Sequence, residues 1–498
     1  MSLNYKSLIP YLVVAVLCIP LFSINIQSLH NWGDDFAQYI KQAQNIIEGK
    51  AYYESKYVFN PHELDYAPPQ YPPGFSLLLA PFVKIWGVSF THLEQAITIC
   101  LVCLALVLCS YYRKFTNPVT AVCLALICVY AKSVLDIKNE VLSDIPCWLF
   151  VMLYFNLRKS DTFSTTRIAV IVLVALVAVF IRTQALTIIA AEGGYLFFIL
   201  LKKIISQRKL ALRDIYGSVG FKVSLAVLVA FVLLSQTVLR APSSTLEFYK
   251  HLITSHNSTW WDAIGGNTYY FHILIEGMFH YYPDDTFWTV VYYFVKHIII
   301  ACVFIGLLMT AKRRFEVTHV YVIITCVLVV VLSQRQGIRL VLYLMPFFIL
   351  YVHRAMHAIF PPLFSIKPVR LAVVFTLIYF LFGKFDITER FNKMPGDYMP
   401  ASQDSMAFNY IRQHVSDKDI IIFLKPRVLS LYTDKRAAVL AYRVPADTNK
   451  AFIKGLGGTP YLLLNDALQD DTYKNYLNTH HALDTTVIAP GYTLYKLQ

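Results

Sequence analysis

A chain of 498 residues that is 57% hydrophobic and 15% charged, with a mean hydropathy of +0.51, is too apolar for a soluble protein, in which roughly 25% of residues are charged. Its net charge of +13 does not point to nucleic acid, because the basic residues fall in short clusters between apolar runs: Arg113-Lys114, Arg158-Lys159, Lys202-Lys203 with Arg208-Lys209, and Lys312-Arg313-Arg314. That is the pattern of a polytopic membrane protein whose basic loops stay in the cytoplasm, and no nucleic-acid partner is expected.

The first apolar run, Leu8 to Ile26, follows Lys6 and lacks a small-x-small cleavage site. It reads as an uncleaved span with the N-terminus inside. A long polar loop over 28–72 follows and opens with Asn31-Trp32-Gly33-Asp34-Asp35-Phe36-Ala37-Gln38-Tyr39. Two adjacent carboxylates at the mouth of a membrane domain are costly without a partner or a chemical role. The spacing of Asp35, Tyr39 and Ala43, with Ile46 and Ile47, predicts an amphipathic helix along the membrane surface. The segment Tyr66-Ala67-Pro68-Pro69-Gln70-Tyr71-Pro72-Pro73-Gly74 cannot be regular helix. The apolar stretch Phe75 to Trp86 is shorter than the roughly 20 residues a span needs, so it is expected to be re-entrant or interfacial. If it crossed, Arg113-Lys114 would lie outside.

Further spans are predicted at 92–112, 118–134, 140–157, 168–181, 184–201, 217–239, 288–311, 317–333, 339–353 and 370–386, about eleven in all. Every strong basic cluster between spans then lies inside. The outer face collects the Asp34-Asp35 loop, the turn Asp136 to Glu140, and a long loop from Arg240 to Phe287. The last carries Trp260-Trp261, Tyr269-Tyr270, Tyr281-Tyr282 and Asp284-Asp285; its aromatics are expected to anchor at the interface. Glu140 and Asp144 lie four apart and are expected to share a helix face. Arg182, Arg335 and Arg339 fall at the outer ends of spans, where the positive-inside rule disfavours them.

The nine cysteines all lie in or beside apolar segments, so no disulfide is expected, and Cys100-x-x-Cys103 reads as helix packing. After residue 387 the long apolar runs stop. Helices are predicted over 404–414, from Pro426 and over 469–479, and strands over 420–424, 461–464, 484–488 and 492–497. This is a small α/β domain over 387–498, attached to a transmembrane body over 1–386. Gly455-Leu456-Gly457-Gly458 reads as a turn rather than a phosphate loop, so no nucleotide cofactor is expected. His480-His481 reads as a solvated helix end.

Taken together, the Asp-Asp pair after the first span, Asp35 four residues before Tyr39, the Tyr71-Pro72-Pro73-Gly74 element, the segment Asn139-Glu140-Val141-Leu142-Ser143-Asp144-Ile145-Pro146 and the late segment Arg339-Leu340-Val341-Leu342-Tyr343-Leu344-Met345-Pro346 resemble the GT-C glycosyltransferases. The likeness is to the bacterial relatives of protein O-mannosyltransferases and lipid A aminoarabinose transferases. The resemblance implies a polyprenyl-phosphate-linked sugar donor, a glycan, lipid or protein acceptor presented on the outer side, and a bacterial inner membrane with the C-terminal domain in the periplasm. It implies Asp35 as general base with Asp34 orienting it or the substrate, since an acceptor hydroxyl needs a base to take its proton. Glu140 and Asp144 would position the acceptor or a cation. Arg182, Arg335 and Arg339 would hold the lipid phosphate, and Tyr39, His62, Tyr71 and Tyr343 would touch substrate. Related enzymes differ over a divalent metal, for which Asp34, Asp35 and Asp144 are the candidate ligands. The rival readings are a transporter or flippase of lipid-linked sugars, an O-antigen ligase or polymerase, and a silent scaffold. No internal repeat of the transporter kind is visible.

Overall fold

The computed structural model describes residues 7–24, 26–63, 66–159, 163–207, 215–236, 268–278, 286–331, 337–361, 398–442, 444–468, 471–480 and 482–498. The predicted span 370–386, Arg335, Trp260-Trp261, Tyr281-Tyr282, Asp284-Asp285, Arg208-Lys209 and His481 lie outside these residues.

Most apolar runs form helices close to their expected places: α1 (Ile9–Leu17), α4 (Phe90–Tyr112), α5 (Pro118–Val129), α7 (Asp144–Arg158), α8 (Thr165–Ile181) and α9 (Leu186–Gln207), then Val219–Gln236, Thr286–Arg313, Val317–Val331 and Met345–Ile359. Among the described residues, four segments are long and apolar enough to cross a membrane: Phe90–Tyr112, Thr183–Ser206, Thr289–Arg313 and Leu342–Ile359. They become five if α5 and the short α6 (Lys132–Lys138), bent by 56°, count as one span. The other apolar helices, such as Thr165–Ile181, have 10–17 residues.

The helices break where polar chemistry sits. α7 starts at Asp144, not at residue 140, which keeps Pro146 in the first turn, where a missing N–H breaks no helical bond. Glu140 therefore precedes the helix, and the expectation that Glu140 and Asp144 share a helix face is corrected. The late span opens with two 3₁₀ turns, Gly337–Leu340 and Leu342–Leu344, before Met345–Ile359.

α2 (Asp35–Ile47) forms as its spacing predicts, but it is sandwiched between α3 (Pro73–Trp86) and the C-terminal helix Pro426–Thr433. Its polar residues explain the difference. Gln38 and Gln42 are buried, and both donate to the Pro69 carbonyl, at 2.7 and 2.9 Å. They thereby satisfy the proline segment that leads into α3. That segment turns hard against the end of α8: a Cβ on Gly74 would lie 2.6 Å from the Phe180 carbonyl oxygen.

The C-terminal domain is a five-stranded mixed sheet in the order β4-β3-β5-β7-β6. β3 (Ile420–Ile422) lies parallel to β4 (Arg436–Ala438) and β5 (Pro460–Asn465), and β7 (Tyr492–Lys496) runs antiparallel to β5 and β6 (Asp484–Ala489). Helices Ser402–His414, Pro426–Thr433, Ala446–Gly455 and Asp471–Thr479 flank it. β4 and the helix Ala446–Gly455 are additions to the expected elements. The predicted Gly turn forms, with positive φ at Gly457 and Gly458. A Cβ on Gly458 would lie 2.1 Å from the Lys418 carbonyl oxygen.

This domain and the first polar loop are built into each other. β1 (His30–Asn31) pairs antiparallel with β2 (Tyr398–Met399). Loop residue Tyr57 extends the sheet at β4, with Val58 N donating to Ala437 O at 2.8 Å and Ala437 N to Lys56 O at 3.1 Å. Asn60 donates to Val439 O at 2.9 Å, Tyr66 to Leu424 O at 2.7 Å, and Glu63 accepts Tyr442 N at 2.8 Å.

Candidate active site

Asp34 and Asp35 sit at the start of α2, with Asp34 in the N-cap position. An N-cap carboxylate commonly accepts a helix N–H, but Asp34 makes no such bond. It faces the guanidinium of Arg427 instead, Oδ2 to Nε at 3.4 Å. Asp35 is held from three sides: Arg339 Nη1 lies 3.1 Å from Oδ2, Arg427 Nη1 lies 3.1 Å from Oδ1, and Tyr71 donates to Oδ1 at 2.6 Å.

Asp144, fully buried at the start of α7, receives Arg182 Nη1 at 3.1 Å and Arg339 through Nε at 3.1 Å and Nη2 at 3.0 Å, all on Oδ2. Arg339 thus joins Asp35 to Asp144. Arg182 ends α8 and also donates to Ser143 Oγ at 3.3 Å. Tyr39 shares a hydrogen bond with the same Ser143 hydroxyl at 2.9 Å, and Tyr343 donates to the Asp144 carbonyl at 3.4 Å. The turn bearing Arg339 is possible because Gly337 takes a positive φ of 63°.

Of the residues singled out from the sequence, Asp34, Asp35, Tyr39, Tyr71, Asp144, Arg182, Arg339 and Tyr343 come together. Glu140 stays at the edge. Its Oε1 is 3.5 Å from Asn31 Nδ2, and it makes no ion pair among the described residues. His62 stands exposed on the loop, its backbone N–H donated to Asn60 at 3.0 Å, and is not drawn into the cluster.

Arg427, from the second position of the helix Pro426–Thr433, is the partner that sequence reasoning missed. Its side chain is 2% exposed. It donates to the Tyr71 hydroxyl at 2.6 Å and to the Ala67 carbonyl, and its guanidinium lies 4.9 Å from the Tyr57 ring centre and 5.0 Å from that of Tyr71. One signal was present. A cation in the first turn of a helix opposes the helix dipole, so it needs a carboxylate in front of it.

The electrostatics separate the two acids. Burial opposes ionisation of Asp35, but Arg339, Arg427 and the Tyr71 hydrogen bond outweigh it and hold its carboxyl down at about 2. Burial pushes the Asp34 carboxyl up, against the pull of Arg427 and Lys425. The carboxylates do not fit a metal ion as they stand. Both Asp35 oxygens and Asp144 Oδ2 are engaged by guanidinium groups, where a cation would meet like charge. No group of three His, Cys, Asp or Glu among the described residues could hold one.

No protein-family profile matches the chain, and no curated protein matches its sequence. Solved structures do match. ArnT from Cupriavidus metallidurans bound to undecaprenyl phosphate aligns with a TM-score of 0.61 over 99% of this chain and 98% of that chain, at 11% identity. The Archaeoglobus fulgidus oligosaccharyltransferase in complex with Zn and sulfate aligns at 0.60 over 94% and 69%, at 12% identity. The oligosaccharyltransferase AglB of the same organism, with an inhibitory peptide and a dolichol-phosphate, aligns at 0.58 over 98% and 71%, at 12% identity. At that identity the likeness is one of architecture: the chain shares the fold of these structures.

Proposed function

We propose that this chain is a membrane glycosyltransferase that moves a sugar from a polyprenyl-phosphate donor to an outer-face acceptor with inversion. The observation that carries the reading is the row Asp35–Arg339–Asp144–Arg182, two carboxylates and two guanidiniums linked by ion pairs of 3.0–3.1 Å. It sits in a fold shared with proteins bound to undecaprenyl phosphate and to a dolichol-phosphate.

In this reading the acceptor hydroxyl gives its proton to Asp35 while its oxygen forms a bond to the anomeric carbon. The bond from that carbon to the lipid phosphate oxygen breaks, and the phosphate leaves with the electron pair. It leaves as a stable anion, so it needs positive charge more than a proton. Arg182 and Arg339 supply that charge, and Asp144 positions both. In the resting site Asp35 is too weak a base, because a base works best with a pKa near the working pH. The donor phosphate corrects this. Arg339 gives Asp35 one hydrogen bond, through Nη1; when that group turns towards the phosphate, Asp35 loses it, and the carboxylate regains basicity as the leaving group takes its place.

The sugar and acceptor need not be known to test the donor side. Purified protein is titrated with undecaprenyl phosphate, and its unfolding temperature is followed beside Arg339→Ala and Arg339→Lys. Saturable stabilisation that is lost in Arg339→Ala and partly kept in Arg339→Lys is expected, since a ligand of the native state raises its stability. Absence of any lipid response in folded wild-type protein would remove the reading.

A further inference from the structure

The far end of α7 carries a different arrangement of charge. α7 has 15 residues, so Arg158 stands about 21 Å along the axis from Asp144. Beside it a cavity of about 420 Å³ opens, lined by Lys114, Arg158, Lys159, Tyr195, Arg314 and Glu316 among others. Cations outnumber carboxylates there. Arg158 pairs with the buried Glu192 at 2.7 Å. Lys159 and Arg314 share the single carboxylate of Glu316, Arg314 at 3.3 Å. The Lys114 ammonium hydrogen-bonds to backbone carbonyls of Asn156 and Lys159. Burial, with the like charges of Arg167 and Lys159, pulls the Lys114 ammonium down to about 8. An anion in the cavity would relieve that repulsion.

The cavity wall points to where such an anion comes from. The Tyr195 and Phe198 rings flank Phe315 at 6.4 and 4.4 Å. Phe198 is exposed, as are Phe197 and, about one turn further along the same side of α9, Leu201. An apolar strip leading out of a basic cavity suits a molecule with a phosphate head and an acyl chain.

We propose that this cavity binds the phosphate of an anionic phospholipid headgroup, contacted by Lys114 and Arg314, with an acyl chain along the Phe198 side of α9. The site is separate from the acid cluster and does not depend on the glycosyltransferase reading. Each basic residue at a membrane surface strengthens attraction to an anionic lipid about five-fold.

The test uses the full chain in neutral detergent. Its unfolding temperature is titrated with phosphatidylglycerol, with phosphatidylcholine and with sodium phosphate, for wild type, Arg314→Gln and Lys114→Gln/Arg314→Gln. Saturable stabilisation by phosphatidylglycerol alone is expected, with the midpoint moved about five-fold in the single and about 25-fold in the double variant. Arg314 is 71% exposed on its side chain, so the single variant keeps the test if the double one fails to fold. Equal stabilisation by phosphatidylcholine, or an unmoved midpoint in the variants, would overturn the proposal. A variant-sensitive response to sodium phosphate at the same concentrations would overturn the lipid assignment and leave a free-phosphate site.

Discussion

The acid cluster takes its arginines from two parts of the chain, and they are not held alike. Arg182 and Arg339 belong to the helical body, keep 15% and 26% of their side-chain surface, and converge on Asp144. Arg427 comes from the C-terminal domain, keeps 2%, and is enclosed by two tyrosine rings and the Ala67 carbonyl. A partly open guanidinium can exchange a carboxylate for an incoming phosphate with little reorganisation. A sealed one cannot turn without emptying its enclosure. The body's arginines are thus suited to ligand exchange, and Arg427 to fixing the position of the Asp34-Asp35 pair. The C-terminal domain thereby closes the site with a charge that the body does not supply.

The strongest way to break this division is Asp35→Asn, which removes the group both kinds of arginine address. If Asp35 is the base, transfer measured with a competent donor should fall by about 10² to 10⁴-fold. The undecaprenyl phosphate response should persist, because Arg182 and Arg339 remain. Near-normal transfer would take Asp35 out of the role.

Next is Arg427→Met, which keeps volume and removes the sealed charge. Removing one partner of a buried ion pair costs roughly 3–5 kcal/mol. The lower end, about 3 kcal/mol, is expected here, because Asp35 keeps Arg339 and Tyr71. Denaturant unfolding measures it. Adding Asp34→Asn should restore part of the loss, since the stranded carboxylate is then neutral. A loss of lipid response without a loss of stability would instead make Arg427 a phosphate ligand and erase the distinction.

The acids themselves sharpen the comparison through pH. Asp35 is held at about 2, below its unfolded value near 3.9. Its contribution to stability is present above pH 4 and lost as pH falls from about 4 towards 2. Asp34 is shifted the other way, so falling pH favours its folded form. Asp35→Asn should flatten the acid limb of the stability curve, and Asp34→Asn should steepen it. The same sign in both variants would mean that the two carboxylates share one environment.

The sequence revealed the body's half of the site because charge next to an apolar run has few explanations. Asp34-Asp35, Asp144, Arg182 and Arg339 all stand out at the ends of hydrophobic segments, and they meet. The Tyr71-Pro72-Pro73-Gly74 element was legible because prolines forbid a helix, and the close approach of Gly74 to α8 shows what the turn achieves. Arg427 left only a faint signal, a cation in the first turn of a helix, because Lys425-Pro426-Arg427 otherwise reads as an ordinary helix start in a polar domain. β4 was missed for a similar reason. Arg436-Ala437-Ala438 has little intrinsic strand preference and becomes a strand through pairing with β3 on one side and Tyr57 on the other. Glu140 misled, because the spacing of four counts only inside one helix, and Pro146 moves the start of α7 past it.

The smallest expected effect is the most direct check on what holds the two parts together. Lys41 in α2 reaches Asp434 of the C-terminal domain at 2.7 Å, a further ion pair across the same boundary, but Asp434 is 64% exposed on its side chain. Water and salt screen such a pair, and exposed ion pairs contribute about 0–1 kcal/mol. Lys41→Met should therefore cost no more than about 0.5 kcal/mol, and raising salt should erase even that. Arg427, equally charged and reaching across the same boundary, should keep its effect in high salt, because the guanidinium and Asp34 are 2% and 9% exposed on their side chains. A Lys41→Met cost as large as that of Arg427→Met would mean that exposed charge, rather than the sealed guanidinium, fastens the domain over the acids.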